Sequence, residues 1–115
     1  MMSAKGKTGK LNQTALAQHT STAAETTFTT VTATLPGGAI GRPIKIYASG
    51  SVSGVIQFTF GANASYAMSV APNQLPVEYV IPATAFPNKT AQVPVQFMCS
   101  GGVGTLIAIV EFQTD

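Results

Sequence analysis

The 115-residue chain has no tryptophan, one histidine (His19) and one cysteine (Cys99). A single cysteine rules out an internal disulfide. One histidine and one cysteine make no closed zinc set. They also fail the blue-copper pattern, which takes two histidines with its cysteine. Charge is equally scarce. Lys, Arg, Asp and Glu make up 9% of the residues, where soluble domains carry roughly 25%. The net charge of +2 is too small to draw nucleic acid to the surface by itself. No run reaches the roughly 18 apolar residues of a membrane span, and the lysine-bearing start has no apolar core of a secretory signal. Neither nucleic acid nor membrane is therefore an expected partner, and the chain is expected to be made in a cytoplasm.

Catalytic groups are missing as well. Glu25, Glu78, Glu111 and Asp115 fall in separate segments and offer no local carboxylate pair for acid–base work. Cys99 reads as a small buried hydrophobe. A nucleophile needs a base at hand, and His19 lies far away along the chain in a polar stretch. "GGAIG" (37–41) and "SGGVG" (100–104) lead from strand to strand and not into a helix, so they read as turns, not as phosphate cradles. "NAS" (63–65) and "NKT" (88–90) fit the glycosylation pattern by chance and mark loops. No catalytic residue, cofactor site or metal ligand is assigned, and an enzyme is not expected.

What is present is β-structure. From Thr27 onward, short apolar alternations are separated by Gly, Pro and Asn. "TFTTVTATL" places Val31, Ala33 and Leu35 on one face, and "IKIYASGSV" does so with Ile44, Ile46 and Ala48, with Gly50 marking a bulge. The "SG" at 53–54 predicts a hairpin into "VIQFTF", whose inward set is Ile56, Phe58 and Phe60. "YAMSV" and "VEYVI" give Tyr66, Met68 and Val70, then Val77, Tyr79 and Ile81. "AQVPVQFMC" aligns Val93, Val95, Phe97 and Cys99, while Pro94 suggests an edge or a bulge. "TLIAIVEF" is apolar on both faces, which predicts a strand covered on two sides. Strand spacing assigns the aromatics to the core and not to a stacking platform.

About seven to eight such strands and no helical periodicity predict an all-β antiparallel sandwich over residues 27–115. A jelly roll is preferred to an immunoglobulin-like arrangement, and a small barrel is the alternative. Residues 1–26 are different material, rich in Thr, Ala, Ser and Gln, with too little apolar surface to offset their ordering entropy. They read as a flexible basic arm, with Lys5, Lys7 and Lys10 for electrostatic contact and Leu11 and Leu16 as its apolar contacts.

A sandwich this poor in charge lacks the usual protection of exposed strands against association. Burial against subunits supplies that protection, and a mobile arm can add a strand to a neighbour's sheet. The segment "TATLPGGAIGRPIKIYASGSV" (32–52), together with the small size and the Thr/Ala-rich arm, resembles small tailed-phage virion proteins of the capsid decoration (cement) type. That resemblance implies a non-enzymatic homotrimer on the capsid surface, seated over gaps between major capsid protein subunits and gripping the shell with its arm. The other reading is a carbohydrate- or receptor-binding sandwich of a head fibre or tail, against which the absence of tryptophan counts.

Overall fold

Alternation along the chain becomes eight strands in the computed structural model, in which residues 13–33, 35, 41–60, 65–82, 94–101 and 103–114 are described. The strands are β1 (Thr14–Ser21), β2 (Thr29–Val31), β3 (Gly41–Gly50), β4 (Gly54–Thr59), β5 (Ser65–Val70), β6 (Val77–Val80), β7 (Val95–Gly101) and β8 (Leu106–Thr114). They form two four-stranded sheets in the orders β1-β8-β3-β6 and β2-β7-β4-β5. Every pairing is antiparallel. The expectation of an all-β antiparallel sandwich is met. The pairing is nested: β1 with β8, β2 with β7, β3 with β6 and β4 with β5. β8 also joins β3 and β7 also joins β4, which assembles each sheet.

Alternate residues of each strand meet between the sheets. Ile46 and Ala48 of β3 and Ala108, Val110 and Phe112 of β8 face Ile56 and Phe58 of β4 and Val95, Phe97 and Cys99 of β7, all buried. Each large apolar side chain so buried contributes about 1.5–3 kcal/mol. Val31 and Leu35, Met68 and Val70, and Ile81 join the same core, with Ala33, Val77 and Tyr79 packed against it. These match the inward faces the alternation predicts, except that Tyr66, also expected inward, is exposed at the edge of β5.

Five features differ from the sequence reading, each for a long-range reason. Residues 14–21, expected within a flexible arm, are a strand that pairs with β8 from Thr14–Gln113 to Ser21–Leu106. β8 offers a free edge, and an eight-residue backbone ladder orders a segment whose own side chains are modest. The remainder of the expected arm up to residue 12, with Lys5, Lys7, Lys10 and Leu11, lies outside the described residues.

The chain after "SG" does not fold back as a hairpin. β3 and β4 belong to opposite sheets, so the link crosses the sandwich. Residues 51–53 make the crossing and deliver the chain to Gly54 at the start of β4, where an added Cβ would meet the Ser100 carbonyl oxygen at 2.7 Å and Leu106 Cδ1 at 2.8 Å.

The bulge falls at Ile44 and not at Gly50. The β3–β8 register shifts between Pro43 and Lys45, and the Ile44 carbonyl accepts the Ile81 N–H at 2.9 Å. Pro43 takes the buried position and Ile44 is only half-buried.

β8 is covered on one face only. Its outward residues Ile107, Ile109, Glu111 and Gln113 are half-buried, because no third layer lies over them among the described residues. Pro94 precedes β7, which sits inside its sheet between β2 and β4 and not at an edge. Val93 lies outside the described residues.

Candidate functional site

A sandwich of two sheets has two open sides, and on one of them polar groups gather. The side bounded by β1 and β2 is spanned by His19, Glu25 and Cys99. Alternation along β1 turns Ala15, Ala17, His19 and Ser21 inward. His19 therefore points between the sheets, where its ring stacks on Phe97 at 6.3 Å between centroids and 8° between planes. The β1–β2 connection then carries Glu25 up against β7. Glu25 N–H donates to the Cys99 carbonyl oxygen at 2.9 Å, and Cys99 N–H donates to Glu25 Oε1 at 2.8 Å. The same carboxylate accepts from His19 Nε2, 3.0 Å from Oε1 and 2.8 Å from Oε2. Ser21 Oγ caps the turn by donating to the Ala23 carbonyl oxygen at 2.6 Å.

These contacts bind one sheet to the other through Glu25. His19 and Glu25 are only 10% and 22% exposed at their side chains, so the contacts are sheltered from water. The Cys99 thiol is pushed up to about 11, first by burial, then by the charge of the Glu25 carboxylate and its hydrogen bond. It stays protonated at neutral pH, which is the opposite of what an activated nucleophile requires. One ligand-type atom from each of the three residues nonetheless lies within 4.8 Å of the others.

Sequence distance concealed this cluster. His19 was expected to lie far from Cys99, yet the β1–β2 connection brings the two together. Cys99 was read on the inward face of an alternating strand, but His19 lay in a stretch read as an arm, so local pattern gave no signal for their meeting.

The outer faces of the two sheets differ in charge. Arg42 and Lys45 on β3, Glu78 on β6 and Glu111 on β8 all belong to one sheet. Lys45 Nζ lies 3.4 Å from Glu78 Oε1 and sits 5.5 Å over the Tyr47 ring, whose hydroxyl donates to Glu111 at 3.3 Å. The strands β2, β7, β4 and β5 carry no charged residue. Their outward residues include Thr30, Gln96, Met98, Val55, Gln57 and Ser69, with Gln96 Nε2 donating to Thr30 Oγ1 at 3.0 Å.

The second open side, between β5 and β6, is closed by aromatic rings. Phe58 meets Tyr66 at 5.4 Å, Tyr79 at 5.2 Å and Phe60 at 5.5 Å, and Tyr66 meets Tyr79 at 5.9 Å. Tyr66 keeps 44% of its surface in solvent. Of the expected contact residues, Leu16 is described: it stands on the outward side of β1, 65% exposed, opposite Glu111.

No protein-family model, curated protein or solved structure matches this chain.

Proposed function

We propose that this chain is a non-enzymatic structural protein of a virion, a capsid decoration protein that works as a homotrimer by burying sheet surface against other subunits. The observation that carries the reading is the charge-free outer face of the β2-β7-β4-β5 sheet. Charged side chains are the ordinary means by which sheets avoid one another. A face of Thr, Gln, Ser, Met and Val gives up that repulsion while keeping hydrogen-bonding groups for a partner surface. The edges β2 and β5 that bound the face are uncharged too. The high thiol value of Cys99 supports a non-catalytic role.

We read the sandwich as a jelly roll. The nested pairing of first strand with last, inward to β4 with β5, supports this, and that architecture recurs in capsid and lectin domains. Lys5, Lys7, Lys10, Leu11 and Leu16 are the proposed contacts to the major capsid protein; of these, Leu16 is described, exposed on the edge strand β1.

Size-exclusion chromatography with light scattering on the full chain tests the proposal. A trimer is expected, and Gln57→Lys, which puts a charge in the middle of the neutral face, is expected to dissociate it. A wild-type monomer at every concentration would overturn the assembly reading. The exposed ring of Tyr66 beside Tyr79 favours a second reading, a carbohydrate- or receptor-binding module. A glycan array answers that one, a hit abolished by Tyr66→Ala being its signature.

A further inference from the structure

We propose that His19, Glu25 and Cys99 form a binding site for one Zn2+ ion, which clips the β1–β2 connection to β7. The donors are an imidazole, a carboxylate and a thiol, the set that a borderline-soft divalent ion selects. They come from three separate places: β1, the β1–β2 connection and β7. Their convergence within 4.8 Å is a product of the fold and not of local sequence.

Two kinds of restraint hold the donors ready. The paired contacts of Glu25 N–H with the Cys99 carbonyl and of Cys99 N–H with Glu25 Oε1 fix the carboxylate against β7. Stacking on Phe97 fixes the imidazole plane. In a tetrahedral zinc site, donor atoms stand about 3.3–3.8 Å apart. The 2.8 Å His19–Glu25 contact therefore opens by roughly half an ångström, and the longest separation closes by about 1 Å. Cys99 is fully buried, so His19 and Glu25, the two donors with side-chain exposure, are the ones that move.

Charge counting favours the ion. Zn2+ with one thiolate, one carboxylate and one neutral imidazole sums to zero, so a sheltered site ends without net charge. The thiol proton leaves to solvent, and the imidazole proton now facing Glu25 moves to Nδ1 as Nε2 takes the metal. Glu25 keeps Cys99 N–H on one oxygen, because a carboxylate has lone pairs for both tasks. Water fills the fourth position from the open side, where Glu25 is partly exposed.

The experiment uses the full chain after treatment with a chelator and its removal. Zn2+ is titrated calorimetrically and by thermal melting, and Co2+ is added in parallel as a spectroscopic probe. One ion per chain, a higher Tm and a near-ultraviolet thiolate-to-cobalt band are expected. Because the chain has one cysteine and one histidine, the band reports Cys99, and a shifted imidazole resonance reports His19, with no variant needed. Cys99→Ser should abolish the band and weaken Zn2+ binding by at least the roughly 10- to 100-fold lost when a supporting residue of a metal site is removed. His19→Gln, which keeps a donor towards Glu25, should weaken it similarly. Absence of heat, melting shift and band would overturn the proposal. So would a cobalt complex without the thiolate band, or Zn2+ affinity unchanged in His19→Gln, since either places the ion elsewhere.

Discussion

The two open sides of this sandwich are closed by opposite chemistry. Between β5 and β6, four rings, Phe58, Phe60, Tyr66 and Tyr79, fill the gap by area. Between β1 and β2, one carboxylate does so by accepting from both neighbours, His19 and the Cys99 amide. An aromatic closure is non-directional and tolerates small shifts of one sheet against the other. A polar closure is directional: it specifies which strand lies where, and loses its worth if a single partner is removed. The polar closure stands where the N-terminal strand joins, and that strand has few large apolar residues of its own to fix its position.

Breaking the aromatic side at its centre should cost most. Phe58 is fully buried and touches Tyr66, Tyr79, Phe60 and Phe97. Phe58→Ala is expected to destabilise by about 3–5 kcal/mol in urea unfolding. A loss below about 1 kcal/mol would mean that the surrounding side chains collapse into the vacated space and that the rings contribute little.

On the polar side the equivalent change is Glu25→Ala. It strands the Cys99 N–H, an amide whose residue is fully buried, and takes the acceptor from His19. The expected cost is about 1.5–3 kcal/mol. Hydrogen exchange should localise it, with amides of β1 losing protection before those of β4. Uniform loss across both sheets would show that the two sides are not independent.

How much of this could be read from the chain follows the same division. The aromatic side was legible, because Phe58, Tyr66 and Tyr79 sit at alternate positions in apolar runs, where period two shows directly. The polar side was not. β1 turns Ala15, Ala17, His19 and Ser21 inward, a set too small and too polar to stand out from its exposed face. Its strand character comes from β8, 99 residues on in the Thr14–Gln113 pairing and 85 in Ser21–Leu106. The bulge at Ile44 has the same origin, since it exists only relative to the remote partner β8. The nesting of strand pairs is likewise invisible to local pattern, and the "SG" turn signal pointed to a hairpin that the crossing between sheets replaces.

A pH series sharpens the contrast further. The folded-state value of Cys99 is raised from 9.0 to about 11. Between these values the native state binds more protons than the unfolded one, so stability falls as pH rises. The contribution is intact below pH 9 and is lost towards 11. Wild type should thus lose stability over that window relative to Cys99→Ala, with lysine and tyrosine titration common to both and cancelling in the difference. Parallel curves would mean that the thiol is as well solvated folded as unfolded, which its burial beside Glu25 contradicts.

The smallest effect separates area from ring geometry on the aromatic side. Tyr66 stacks on Phe58 with 23° between planes and lies 5.9 Å from Tyr79, while nearly half of it faces solvent. Tyr66→Leu keeps most of the apolar contact but removes the ring pairs, which are worth about 0.5–1.5 kcal/mol beyond area. With much of the side chain already in water, a loss near about 0.5 kcal/mol is expected from urea unfolding. A double-mutant cycle with Tyr79→Leu should then return a coupling of that size. A coupling of zero would mean that any apolar side chain closes this side equally well. The asymmetry between the two sides would then reduce to the directional contacts of Glu25 alone.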